Sequence, residues 1–195
     1  MTSRREFLQA SLIASVLPAM ANANLAADDR ALRTVELYKV VYDTRFPASV
    51  AFARRAEARG LAVQPIRGDV TRFWYDDLYH RWRQSQAAIA GLTAHGALFC
   101  LERLAWEQRM RVVYHGAHRA AADGGVAHRF QGSPALLSQA ADSVSAPAWA
   151  AALADVVAAC PLGGPQQSQQ GLTTAASRPP AAEELFSWVI APVQR

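Results

Sequence analysis

The sequence predicts an α/β protein with an open, mostly parallel sheet. Short β-prone apolar runs alternate with amphipathic helical runs, and glycine or a capping residue marks most of the boundaries between them. Three consecutive strand–helix units of this kind are typical of parallel strands joined by crossover helices. We therefore expect three layers, with helices on both faces of the sheet.

The alternation can be followed along the chain from residue 34 to residue 114. The predicted strands are 34–42, 61–66, 87–92 and 111–114, and the helices between them are 48–59, 71–85 and 97–109. Gly60 is a typical residue at the end of a helix. A strand order of 2-1-3-4, as in flavodoxin-like or Rossmann-like folds, would place the first and third strands side by side.

The C-terminal part is richer in loops. A polar loop, two helices and a last strand at the sheet edge are predicted at 120–132, 134–141, 147–159 and 185–190. Residues 161–182 are rich in Pro, Gly, Gln and Ser, which indicates a long excursion, either mobile or an ordered lid. The length of the chain predicts a single domain over residues 24–195.

The first residues form a three-part pattern. Ser3-Arg4-Arg5-Glu6-Phe7-Leu8 precedes a weakly apolar run at 10–18, and the small-residue stretch 19–23 follows it. This pattern resembles the twin-arginine (Tat) signal peptide of bacterial export substrates, over residues 1 to about 23. The resemblance implies recognition by the twin-arginine translocase, removal of the signal, and a soluble mature chain in the periplasm. The alternative is an ordinary amphipathic first helix.

The resemblance also implies that the chain crosses the membrane already folded. That route suits a protein that carries a cofactor, folds too fast for unfolded export, or travels with a partner. The chain contains no GxGxxG, Walker A, C-x-x-C, H-E-x-x-H or G-x-S-x-G motif. The cofactor is therefore unknown from the sequence, and the partner interpretation is favoured.

The charge pattern does not favour nucleic acid as a partner. The net charge of +4 at pH 7 comes almost wholly from arginine, because Lys39 is the single lysine. The arginines form no dense run, so the excess indicates solvated surface or attraction for anionic ligands. No segment after the signal is long and uncharged enough to predict a membrane span.

The two cysteines allow more than one interpretation. Cys100 and Cys160 both have apolar neighbours, and the sequence leaves open whether they form one disulfide or stay as buried thiols. Cys100 is also a candidate nucleophile with His95 as its base. Its position one turn inside a predicted helix favours packing instead.

Polar residues concentrate in the loops that follow the predicted parallel strands. Ligands of open α/β sheets bind beyond the carboxyl ends of the strands. The helices that follow the first three strands point their N-termini at the same place, which favours a carboxylate, a phosphate or another anion. The candidate ligand-binding residues are Asp43, Arg45, Asp69, Thr71, Thr93, His95 and His115.

Most of these candidates also have a purely structural interpretation. Asp43, Asp69, Thr71 and Thr93 are typical N-caps of the helices that follow them. Arg45 is either a surface charge or an anion ligand, which its fork of donors suits.

The histidines allow catalytic or metal-binding roles. His95 and Asp43 are the candidate acid–base residues. His95, His115 and His118 are weak candidates for a transition-metal site, because a loop pair without a dense ligand motif does not define one.

The sequence predicts the function only in outline. We expect an exported periplasmic protein that binds a small anionic ligand or a partner protein, as an accessory to an exported redox system. The alternative is a small hydrolase or isomerase at the crevice beyond strands 1 and 3, where Thr93 and Arg45 would orient an oxyanion. A third interpretation takes the Pro/Gln-rich excursion and the arginine-rich surface as docking elements for a larger complex.

Overall fold

The computed structural model describes residues 34–121, 124–144, 148–161, 168–174 and 183–193. The region that resembles an export signal therefore lies outside the described residues. The strands are β1 (Leu37–Asp43), β2 (Val63–Ile66), β3 (Ala88–Ala94), β4 (Met110–Ala120), β5 (Val126–Gly132), β6 (Ser168–Thr174) and β7 (Leu185–Pro192).

Six α-helices and one π-helix lie among these residues. They are α1 (Pro47–Ala58), α2 (Thr71–Phe73), the π-helix (Trp74–Leu78), α3 (Tyr79–Gln84), α4 (His95–Glu107), α5 (Pro134–Val144) and α6 (Trp149–Ala158). The α2 helix, the π-helix and α3 follow one another without a break, over the range predicted as one helix. Within the described part of the chain, no helix is both long enough and apolar enough to cross a membrane.

The seven strands form one open sheet in the order β2-β1-β3-β7-β4-β5-β6. β1 runs parallel to both of its neighbours, so that Val40 pairs with Val63 on one side and with Ala90 on the other. The four other pairs of neighbouring strands are antiparallel. The predicted α/β class with an open sheet is confirmed, whereas the prediction of a mostly parallel sheet is wrong.

The position of β7 explains this correction. β7 was predicted at the sheet edge, but it lies between β3 and β4 and is antiparallel to both. The predicted order 2-1-3-4 is thereby interrupted. Residues 185–191 are buried, as a central strand with both faces covered requires. The sequence shows the apolar run, but it does not show which strands a distant segment will separate.

The predicted polar loop at 120–132 is also corrected, because it contains β5. Along β5 the side chains of Val126, His128 and Phe130 are buried, while the residues between them are more exposed. This period of two defines a strand, but histidine and arginine made the segment look polar. The excursion at 161–182 contributes β6, which pairs with β5, and its remaining residues lie largely outside the described ranges.

Helices cover both faces of the sheet, as the sequence predicts. On the first face α1, α5 and α6 bury a core that includes Val40, Phe52 and Leu153. On the second face the helices from Thr71 to Glu107 bury a core that includes Val41 and Leu101. Adjacent residues of β1 thus serve opposite cores, because successive strand side chains point to opposite faces.

Candidate functional site

The candidate residues gather along one edge of the sheet, which we call the carboxyl edge. β1 and β3 end there, and α1 and α4 begin there. β7 starts at the same edge, since Leu185 pairs with Ala94 of β3 and with His118 of β4. The insertion of β7 separates the loop after β3 from β4, and the candidates consequently fall into distinct groups.

Asp43 and Arg45 form a closed pair. Asp43 is completely buried, and Arg45 donates from Nε to its Oδ1 at 3.0 Å and from Nη2 to its Oδ2 at 2.7 Å. The guanidinium lies against Gly68, where an added Cβ would be 2.8 Å from Cζ of Arg45. No side chain caps α1, so the predicted capping role of Asp43 is wrong. The buried pairing also leaves Asp43 poorly placed as a free acid or base.

The other three polar candidates serve local structure. Asp69 Oδ1 accepts from the backbone nitrogen of Thr71 at 2.8 Å and from its hydroxyl at 2.7 Å, which holds the pKa of Asp69 below its ordinary value. These bonds shape the turn before α2. Thr93 is buried and accepts from Nε1 of Trp188 at 3.1 Å, which ties β3 to β7. Thr93 makes no side-chain cap for α4, which corrects its predicted role.

His95 and His115 do come together. The ring of Phe186 lies 5.5 Å from that of His95 and 5.4 Å from that of His115, measured between centroids. Phe186 can contact both because it pairs with Thr93 on one side and with Ala117 on the other. The first residue of α4 and the middle of β4 are therefore joined through β7.

These two histidines line a cleft of about 330 Å³, which we call the histidine cleft. Its lining residues are His95, Leu98, Phe99 and Glu102 of α4, Val112, Val113, Tyr114 and His115 of β4, and Gln131 of β5. The strand register shifts within β4 between Val112 and Tyr114, in the wall of the cleft. Such irregularities often re-aim side chains next to functional sites. The volume suits a small molecule.

The charges around the histidine cleft differ from those the sequence predicted. Burial lowers the pKa of His115, the charge of Glu184 opposes that shift, and His95 adds to it. His115 is therefore neutral at pH 7, with one ring nitrogen as a donor and the other as an acceptor. Glu102 in the wall and Glu184 beside it bring negative charge. On balance, these groups favour a cation over an anion.

Sequence reasoning missed Glu102, Gln131, Glu184 and Phe186. The last two belong to a segment expected at the far edge of the sheet, and Gln131 belongs to a segment predicted as a loop. The acidic pair Glu183–Glu184 directly before an apolar strand is the one signal that could have indicated charge at a strand start.

His118 lies away from the histidine cleft. It is buried on the first face of the sheet, where Nδ1 lies 2.8 Å from Nδ1 of His128 and Nε2 lies 2.8 Å from Oγ of Ser187. Within the described ranges, no group of three or more His, Cys, Asp and Glu side chains is arranged to hold a metal ion. The weakly predicted set of His95, His115 and His118 is therefore not assembled.

The two cysteines are free thiols, so the disulfide alternative is not realised. Cys160 is buried at the end of α6, and burial raises its pKa to about 12. Cys100 is exposed on α4, which corrects the expectation that both are buried. No hydrogen bond joins Cys100 to His95 in the described part of the chain, so the nucleophile–base arrangement considered for this pair is not formed.

A second cleft, of about 550 Å³, lies between β2 and the π-helix. Lys39 Nζ makes a close ion pair with Asp77, and Tyr38 donates to Asp77 Oδ1 at 2.6 Å. Burial acts to raise the pKa of Asp77, but the hydrogen bonds from Lys39 and Tyr38 outweigh it and lower the pKa. The polar groups of these three residues are bonded to one another and are not left free for a ligand. The histidine cleft is therefore the better candidate for a binding site.

Comparison with known proteins gives no relative, since no family model, no curated protein and no solved structure matches this chain. Function is therefore argued from the cleft and its chemistry.

Proposed function

We propose that this chain is an exported periplasmic protein that binds a small molecule in the histidine cleft. The observation that carries the proposal is the convergence of His95 and His115, from different elements, on Phe186 beside a cleft of about 330 Å³. Small-molecule sites combine apolar walls with a few convergent polar groups. Export is supported by the twin-arginine resemblance, and retention of an Arg4→Lys, Arg5→Lys double variant in the cytoplasm would test it.

The ligand we propose has a planar apolar part and a positively charged group. Phe99 lines the cleft with an exposed ring, and the guanidinium of Arg103 lies 5.2 Å from its centroid. Aromatic rings of this kind attract cations and stack with planar groups. Glu102 and Glu184 supply negative charge. The N-terminus of α4 favours an anion, but that effect is only about 0.3–1 kcal/mol at an exposed site. These carboxylates are our reason for preferring a cation to the anion expected from the helix starts.

A matched pair of probes tests this proposal. Phenethylamine and phenylacetate are similar in size and opposite in charge. A ligand that binds only the folded state stabilises it by RT ln(1 + [L]/Kd). We expect phenethylamine to raise the Tm more than phenylacetate, and the difference to shrink in Glu102→Gln. His115→Ala should abolish the shift, whereas His80→Ala, at an exposed histidine of α3, should retain it. Equal shifts with both probes, or a full shift in His115→Ala, would contradict the proposal.

The accessory role in an exported redox system is a separate proposal, supported by the export signal alone. Its test is co-purification of a stoichiometric partner from the periplasm. A clean monomer after mild extraction would count against it and against the docking interpretation.

A hydrolase or isomerase is the second candidate function, favoured by the lowered pKa of His115, which keeps it a neutral base beside His95. Asp43 is held by Arg45, so we place the acid–base role on the two histidines. Turnover of an ester, amide or hydroxy acid that is lost in both His95→Ala and His115→Ala would support an enzyme. Turnover that persists in both would exclude this site.

A further inference from the structure

A chain of four buried polar side chains lies on the first face of the sheet. Ser187 Oγ is 2.8 Å from Nε2 of His118, and Nδ1 of His118 is 2.8 Å from Nδ1 of His128. Ser187 Oγ also lies 3.2 Å from the hydroxyl of Tyr114. All four residues are at most 2% exposed. Neither the proposed ligand nor the sheet itself requires this arrangement.

The strand register assembles the chain from three neighbouring strands. Ser187 of β7 pairs with Gly116 of β4, and His118 of β4 pairs with His128 of β5. A Cβ at Gly116 would lie 2.5 Å from Oγ of Ser187, so the glycine makes room for the hydroxyl. The pairing of the strands therefore holds Ser187 next to His118, and His118 next to His128.

Ser187 Oγ donates to the hydroxyl of Tyr114 at 3.2 Å. Rotation of the serine hydroxyl about its Cβ–Oγ bond turns this proton toward Nε2 of His118, 2.8 Å away, and Nδ1–H of His118 then donates to Nδ1 of His128. Burial raises the pKa of Tyr114 despite the hydrogen bond from Ser187, so the tyrosine hydroxyl stays protonated. A nucleophile bonded to a base, with the base bonded to a third group that orients it, is the arrangement that activates a serine.

We propose that Ser187 is a nucleophile for acyl transfer from small esters, with His118 as its general base and His128 as a positioning residue. Oγ of Ser187 forms a bond to the ester carbonyl carbon as its proton passes to Nε2 of His118. The ester C–O bond then breaks, and His118 gives that proton to the departing alcohol. Water, deprotonated by His118, then forms a bond to the acyl carbon. The bond from that carbon to Oγ of Ser187 breaks, and His118 returns the proton to Oγ, which releases the acid and the free serine.

One side chain covers the two imidazoles. The indole of Trp149, at the start of α6, lies 4.8 Å from the ring of His118 and 5.1 Å from that of His128, and it is only partly buried. The side chain of Tyr114 that contacts Ser187 is completely buried in the core of the first face. The array is thus closest to solvent at Trp149, and displacement of Trp149 is the opening step that this site needs.

The test is acylation by p-nitrophenyl acetate, followed by intact mass and peptide mapping. We expect a single acetyl group on Ser187 in the wild-type chain, faster acetylation in Trp149→Ala, and none at this position in Ser187→Ala. His118→Gln should slow acetylation by about 100-fold or more, the usual effect of losing a general base. His128→Leu should slow it too, whereas His128→Gln, which still offers an acceptor, should restore part of the rate.

Two results would overturn the proposal. One is the absence of acetyl–Ser187 in both the wild-type chain and Trp149→Ala, with circular dichroism showing that both are folded. The other is an unchanged acetylation rate in folded His118→Gln. His80→Ala, at an exposed histidine of α3, should acetylate like the wild type. Ser187→Ala should keep the Tm shift with phenethylamine, so failure of the ligand proposal and failure of this one can be distinguished.

Discussion

Nδ1 of His118 lies 2.8 Å from Nδ1 of His128, and both imidazoles are buried. Only one proton can lie between two nitrogens at this distance. Burial keeps the pKa of His118 well below its ordinary value, and burial lowers the pKa of His128 from 6.5 to about 4. Both rings are therefore neutral in the folded protein at pH 7, and protonation of either one disfavours the fold.

Stability should consequently fall as the pH is lowered. The unfolded chain binds protons at these histidines from about pH 6.5 downward, whereas the folded chain binds them at a lower pH. The contribution of these histidines to the free energy of unfolding is fully present above about pH 6.5. The lowered pKa of His128 alone reduces that free energy by about 3 kcal/mol at pH 4. Urea unfolding at a series of pH values checks this. His128→Phe should flatten the acid slope, and His80→Gln, at an exposed histidine, should leave it unchanged.

Arg45→Met should destabilise the protein. Asp43 is completely buried, and Arg45 is its charged partner through Nε and Nη2. Removing one partner of a fully buried ion pair lowers the free energy of unfolding by about 3–5 kcal/mol. Because Arg45 is partly exposed, we expect a smaller loss of about 2 kcal/mol. The control is Arg54→Met, at an exposed position of α1. Equal unfolding midpoints for the two variants in urea would show that the pair contributes nothing.

Gly91→Ala should destabilise the protein, whereas Gly96→Ala should not. A Cβ at Gly91 would lie 2.5 Å from the ring of Trp188 and 2.6 Å from the carbonyl oxygen of Val41. The carbonyl oxygen of Val41 belongs to the backbone of β1 and can move only if the strand moves with it. We therefore expect Gly91→Ala to lower the free energy of unfolding by about 2 kcal/mol or more. At Gly96 a Cβ meets nothing within 4 Å, and alanine in a helix should be neutral or stabilising by up to about 1 kcal/mol. Thermal unfolding of both variants checks the close packing of β7 on β3.

The N-terminal half of the fold was predictable because its signals are local. The alternation of strands and helices up to β4 depends on short-range periodicity, and the strands at 37–43, 63–66 and 88–94 lie within two residues of most predicted boundaries. The place of β7 depends on pairing across long sequence separations, for example between Ala90 and Val189. The residue pattern within β7 does not indicate which strands β7 pairs with or in which direction. The sequence therefore predicts a mostly parallel sheet, which is wrong.

The sequence also predicts part of the candidate site, namely which residues lie near the carboxyl edge, but it does not predict their side-chain partners. His95 and His115 are predictable because each lies in a loop that follows a predicted strand, although the structure places His115 within β4 itself. Asp43 and Thr93 were also placed near that edge, but their side chains are satisfied by Arg45 and Trp188. Burial of a polar side chain with a partner from another element cannot be deduced from local sequence.

One thiol should react quickly in the native protein and two in the denatured protein. Cys100 is exposed, and Cys160 is buried with its pKa raised to about 12. The thiolate is the reactive form, so burial and the raised pKa both protect Cys160. Titration with Ellman's reagent, with and without urea, measures the two numbers. No reactive thiol in the native protein, or two of them, would contradict the placement of the cysteines.

The most direct test of the central claim is the response of the histidine side chains to a ligand. The measurement is an NMR titration of the ¹⁵N-labelled imidazoles of the protein with phenethylamine. We predict saturable shifts at His95 and His115, much smaller shifts at His80, His118 and His128, and weaker effects with phenylacetate. Signals of His95 and His115 that do not move, or that move equally with both probes, would contradict a cation-binding histidine cleft.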